Sequence, residues 1–156
     1  STLARTLVDH LKVTRALKLT HCEIDQFMVD DQGRYSFERE RLPHAIKAAE
    51  ERTLKALHST GRCIVSNTHT RHFEFTGLVD AARALGLPVL VFHVQGEFEN
   101  IHNVPAEAQR LMAERWMPYP GEFHVPVTEE ESGLDIVLAV WGDAYAGWKE
   151  VNHEFH

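Results

Sequence analysis

The chain has 156 residues, 44% of them hydrophobic and 25% charged, a balance that excludes disorder and suits a single domain with a buried core. Its formal charge of −7 argues against a broad basic surface for gripping duplex nucleic acid, so a small phosphorylated ligand or a strand end is the better-matched partner. No apolar run nears the roughly 20 residues of a membrane helix and no secretory signal opens the chain, which predicts a cytoplasmic protein whose Cys22 and Cys63 are reduced, buried thiols.

Leu3, Leu7, Val8 and Leu11 recur at one-face spacing, so the sequence is helical from its first residues, with Ser1 able to cap the helix. A strand is expected over Lys18 to Ile24, with Asp25 at its carboxyl end. The segment from Phe27 to Leu42 reads as a loop or short hairpin, because Asp31-Gln32-Gly33 marks a turn. Pro43 then opens a helix whose apolar stripe is Ala45, Ile46, Ala49, Thr53, Leu54, Ala56 and Leu57, and Gly61 ends it.

Cys63-Ile64-Val65 is too short for a helix, and its continuous apolar character suits a parallel strand covered on both faces. Ligands of such sheets sit beyond the carboxyl ends of the strands, where Ser66 to Arg71 would lie. A helix is expected over Phe73 to Leu85, with Phe75, Leu78, Val79, Ala82 and Leu85 inward and Gly86 as its stop. Val89 to Phe92 reads as another buried strand, Gln95 to Pro105 as a polar loop, and Ala106 to Trp116 as a helix ended by Pro118 and Pro120. Beyond Gly121, strands are expected at Glu122 to Val127 and Leu134 to Trp141, around a solvated run at Glu129 to Glu131. Strands alternating with helices argue for an α/β fold with a mainly parallel sheet flanked by helices.

Four segments carry a resemblance: Ser1-Thr2-Leu3-Ala4; Glu23-x-Asp25-x-Phe27 with Gly33-x-Tyr35-x-Phe37; Val65-Ser66-Asn67-Thr68-x-Thr70; and Asn100 to Pro105 with Met112 and Arg115-Trp116. In this order they resemble the polynucleotide-kinase-like P-loop ATPases common in phages and bacteria. The resemblance covers about residues 1 to 120 as one kinase-like domain, with 121 to 156 as an extension. It implies a three-layer P-loop fold whose first strand and glycine-rich loop, G-x-x-x-x-G-K-S/T, would precede Ser1.

The resemblance further implies transfer of the terminal phosphoryl of ATP to a hydroxyl, either a polynucleotide 5′ end or a nucleoside-like small molecule, with Mg²⁺ as cofactor. Ser1 would then ligate the magnesium and Thr2 approach a phosphate at the helix N-terminus. Asp25 would act as general base, Arg115 and Arg71 would stabilise charge in the transition state, and Asn67 and Arg110 would hold the nucleotide. Thr68, Thr70 and His102 would meet the acceptor. Ser66 and Asn67 stand where this fold holds an acid near the metal, which shifts charge balance toward Asp25 and Asp30 or Asp31. A glycine-bounded loop with Lys149 in the tail is a weaker substitute for the missing phosphate loop.

Two other readings remain open. One is a non-catalytic nucleotide-binding or protein-interaction module. The other is a metal-dependent hydrolase built on His69, His72 and Asp25, prompted by eleven histidines that include His69/His72 and His153/His156 and by the cluster His21-Cys22-Glu23.

Overall fold

A computed structural model describes residues 2–15, 18–95 and 104–126. Ser1, His102, most of the loop that contains it, and the tail from 127 onward, with its expected strand, acidic run and lysine, lie outside the described residues. The described chain is α/β, with two short sheets that are both parallel, and it divides into two compact units. None of its helices is long and apolar enough to cross a membrane.

The first unit comprises residues 1–69 and 73–89. Helix α1 (Thr2–Arg15) buries Ala4 and Val8 and half-buries Leu3, Leu7 and Leu11, the face its periodicity predicts. Strand β1 (Thr20–Cys22) is shorter than expected, because the chain turns into a 3₁₀ helix at Ile24–Phe27 that carries Asp25. The following segment is the expected short hairpin: Val29 bridges Tyr35 in antiparallel sense, and Gly33, at φ +76°, supplies the left-handed turn residue.

Helix α2 (Leu42–Thr60) has Pro43 in its first turn and ends at Gly61, whose N–H caps Ala56 and Leu57 at φ +65°. Its buried face is Ala45, Ala49, Thr53 and Ala56, small residues that let the backbone approach β1 and the 3₁₀ turn closely. Thr53 satisfies its buried hydroxyl by donating to the Ala49 carbonyl at 2.8 Å. Ile46, expected inside, is exposed. Strand β2 (Cys63–Val65) occupies the three residues its apolar run predicts and pairs in register with β1, Thr20 opposite Cys63 and Cys22 opposite Val65. Contrary to the expected full burial, β2 is half-buried, since β1 is its one strand partner among the described residues.

The next segment forms a 3₁₀ turn at His72–Glu74 and then helix α3 (Thr76–Ala84), three residues later than expected. Val79 and Ala82 are buried, while Leu85, past the end of the helix, is exposed.

The second unit comprises residues 70–72 and the chain from 90 onward. Strand β3 (Phe92–Gln95) begins at Phe92 rather than Val89. Its start is set by its partner: β4 (Phe123–Pro126) pairs Phe123 with Phe92, and the Phe123 N–H donates to the Val91 carbonyl at 2.8 Å. The Phe92 and Phe123 rings lie 5.6 Å apart, and Val125 is fully buried. Helix α4 (Ala106–Glu114) follows Pro105 and is closed by Arg115.

Candidate functional site

Parallel pairing brings the carboxyl ends of β1 and β2 side by side, and the residues that follow each strand bond to those of the other. Past the last paired residues, the Ser66 N–H donates to the Cys22 carbonyl at 3.1 Å. Asn67 Oδ1 accepts the Ile24 N–H at 2.8 Å, fixing the entry of the 3₁₀ turn that carries Asp25. Ser66 Oγ lies 2.7 Å from His21 Nε2 and donates to Glu23 Oε2 at 3.2 Å, and Arg5 reaches the other oxygen of Glu23 at 3.6 Å.

The grouping of serine, histidine and carboxylate is not that of a serine hydrolase. Glu23 approaches the same Nε2 that meets Ser66, at 3.6 Å, rather than orienting the ring through Nδ1. It is a polar strand end with two oxygen donors adjacent, backed by the thiols: Cys22 and Cys63 are both free, and the Cys63 thiol donates to Cys22 Sγ at 3.8 Å. That bond pulls the Cys22 thiol down to about 6 and, with burial, pushes Cys63 up.

Helix α2 holds the 3₁₀ turn from outside. Arg52 Nη1 donates to Gln26 Oε1 at 3.0 Å and Arg41 Nη2 to the Val29 carbonyl at 3.0 Å. Asp25 itself is half-buried, and its carbonyl accepts the Met28 N–H at 3.1 Å. Asp30, expected to help balance metal charge, is engaged in the hairpin: Oδ1 accepts the Gln32 and Arg34 N–H groups at 2.9 Å each, and Oδ2 accepts Arg34 Nε at 3.0 Å. Those bonds hold its carboxyl below the usual range.

Of the other expected site residues in the first unit, Thr2 begins α1 and Thr68 is exposed. In the second unit, Thr70 and Arg115 form a pair. The Thr70 hydroxyl accepts Arg115 Nε at 2.7 Å, its carbonyl accepts the Met117 N–H at 2.9 Å, and the residue is 2% exposed. Arg71 is exposed. Arg110, expected at the nucleotide, is bonded to Glu107 and Glu114 of its own helix.

Arg115→Ala strips the buried Thr70 hydroxyl of this donor and is expected to cost about 1–3 kcal/mol. Thr70→Val removes the hydroxyl without changing its shape, so adding it to Arg115→Ala should cost less than the two single losses summed. A double-mutant cycle in urea, followed by tryptophan fluorescence, measures that coupling.

Burial lowers the pKa of both His21 and His69, opposed in part by Glu23 and Glu74. A neutral imidazole is therefore favoured in the fold, and the unfolded chain takes the proton first as pH falls below about 6.5. Their contribution to stability is complete above that pH and is lost as pH falls through the folded values. The thermal midpoint should drop between about pH 7.5 and pH 5.5, and His69→Gln should make that drop shallower.

His69 and His72, expected as metal ligands with Asp25, each have other neighbours within their own unit. His69 lies 3.4 Å from Asn67 Nδ2 and faces the Phe75 ring at 5.4 Å, while His72 Nε2 meets the Pro118 carbonyl at 2.8 Å. Among the described residues, the group close enough to share a cation is instead His93, Glu122 and His124, with ligand atoms all within 4.8 Å of one another. The trace of it in the sequence is Glu122-Phe123-His124, a spacing that puts two ligand types on one side of a strand. His93 joins them only through the register that sets it opposite His124.

No family model, curated protein or solved structure matches the chain.

Proposed function

We propose that the chain takes part in ATP-dependent phosphoryl transfer to a hydroxyl acceptor, within a three-layer kinase-like P-loop fold of the polynucleotide-kinase type. The observation that carries this reading is the in-register parallel pairing of β1 and β2, which sets Glu23 and the Asp25 turn after one strand beside Ser66 and Asn67 after the other. Phosphoryl transfer needs little from a protein beyond positioning and charge neutralisation, and the carboxyl ends of parallel strands are where such groups gather.

The oxygen donors fit magnesium. Glu23 Oε2 and Ser66 Oγ, one after each strand, are hard ligands of the class Mg²⁺ prefers over imidazole, and the ion would take the place of the His21 ring that now meets both. Bound with ATP, the ion would neutralise phosphate charge. Asp25 would accept the proton of the attacking hydroxyl, and Asn67 would hold the turn that aims it. The groups this reading uses lie in the first unit.

The test is label transfer from γ-labelled ATP by the full-length protein with magnesium, offered either a 5′-hydroxyl oligonucleotide or a set of nucleosides. Labelling of one acceptor class is expected. No transfer to either, with no binding of ATP, would overturn the reading.

A further inference from the structure

Strands β3 and β4 carry a second constellation, unrelated to the phosphoryl-transfer reading and chemically unlike it. His93 and His124 are directly opposed in the parallel register, so both rings leave the same face of the ladder, with centroids 5.2 Å apart. Glu122, immediately before β4, puts Oε1 3.2 Å from His93 Nδ1 and 3.3 Å from His124 Nε2.

Those two separations are informative. A charge-assisted N–H···O bond from imidazolium to carboxylate closes to about 2.7–2.9 Å. Ligands about 2.0–2.1 Å from a shared tetrahedral ion stand roughly 3.3 Å apart along each edge of the tetrahedron. The two separations suit the edge of a coordination shell as well as a hydrogen bond, and all three ligand atoms lie within 4.8 Å of one another, near enough for small side-chain shifts to close them on one ion.

Neighbouring groups hold the ligands in place. The other oxygen of Glu122, Oε2, accepts the Tyr119 N–H at 2.9 Å, which leaves Oε1 to the two rings. Glu122 is only 6% exposed, and a carboxylate so enclosed calls for a positive partner. The His93 ring is stacked on Trp116 at 4.4 Å between centroids, with 28° between the planes, fixing its orientation. Such outer contacts are what orient ligands in metal sites. His124 is 57% exposed, so the site opens to solvent on its side.

We infer that His93, Glu122 and His124 bind one divalent transition cation of the zinc class, clamping β3 to β4 and leaving a fourth coordination position for water or a ligand. Two imidazoles and one carboxylate suit zinc, cobalt or nickel and not magnesium, which prefers an all-oxygen shell. The site is thus separable from any magnesium used with ATP.

The test uses untagged full-length protein and Co²⁺ as a spectroscopic probe, with Zn²⁺ as competitor. One equivalent of Co²⁺ should give the intense visible bands of a four- or five-coordinate ion, and Zn²⁺ should abolish them. H93Q and H124Q should each weaken binding by more than about a hundredfold, beyond the roughly 10–100-fold that loss of an outer contact costs. H44Q, altered at an exposed position on α2, should retain the bands. Should H93Q disturb folding by circular dichroism, H124Q, at the most exposed of the three ligands, decides the matter. A wild-type spectrum of six-coordinate cobalt, or wild-type bands in H124Q, would overturn the assignment.

Discussion

Replacing Asp25 with asparagine is expected to lower the phosphoryl-transfer rate by about 10²–10⁴-fold, the usual contribution of a positioned general base. Asparagine keeps the size of the side chain and leaves the backbone of the turn intact, including the Asp25 carbonyl that accepts the Met28 N–H. Thermal midpoint and circular dichroism should therefore change little. The loss should fall on kcat, with KM for ATP nearly unchanged, because a base that acts on the acceptor hydroxyl contributes in the transition state rather than to nucleotide binding. Asn67→Ala provides the companion measurement. It removes the acceptor for the Ile24 N–H, loosens the entry to the same turn, and should depress kcat less than loss of the carboxylate does. Equal activity in Asp25→Asn and wild type would remove Asp25 from the chemistry.

The elements of this chain are legible in its sequence where a local cause sets them. Gly61 and Gly86 stop their helices because a left-handed residue is needed there, and both have positive φ. Cys63-Ile64-Val65 is a strand because three apolar residues between Gly61 and a polar run allow nothing longer. Errors arise where a distant partner decides. Strand β3 begins at Phe92 because β4 pairs from Phe123, thirty-one residues on, a fact no local window contains.

The same division governs the sites. Asp25 is visible as the acid that follows a strand, and Ser66 and Asn67 as the polar end of another, since both signals are contiguous in sequence. The bonds from Asn67 to Ile24 and from Ser66 to Glu23 span more than forty residues and depend on pairing register. The spacing of His69 and His72 is a weak guide for a related reason. His72 sits in a 3₁₀ turn, where it bonds the Pro118 carbonyl, whereas His93 and His124 meet across a parallel ladder without any short-range spacing.

Met28→Ala is expected to cost about 2–5 kcal/mol, the range for deleting a fully buried methionine side chain and leaving a cavity. Met28 is among the largest side chains with no exposed surface, and it sits where three structures meet. Its N–H donates to the Asp25 carbonyl and closes the 3₁₀ turn, its carbonyl accepts the Ser36 N–H at 2.8 Å, and the Val29–Tyr35 bridge begins at the next residue. A folded domain has about 5–15 kcal/mol in total, so this single truncation removes a substantial share. Urea unfolding should show a lower midpoint at unchanged slope, because the surface exposed on unfolding hardly alters. Met28→Leu, which nearly conserves volume, should cost less than about 1.5 kcal/mol. Because the side chain anchors the turn that carries Asp25, phosphoryl transfer in Met28→Ala should fall at temperatures where circular dichroism still reports a folded chain, whereas Met28→Leu should retain it. A Met28→Ala protein with wild-type midpoint would show that the turn is held by Asn67, Arg41 and Arg52 without the core beneath it.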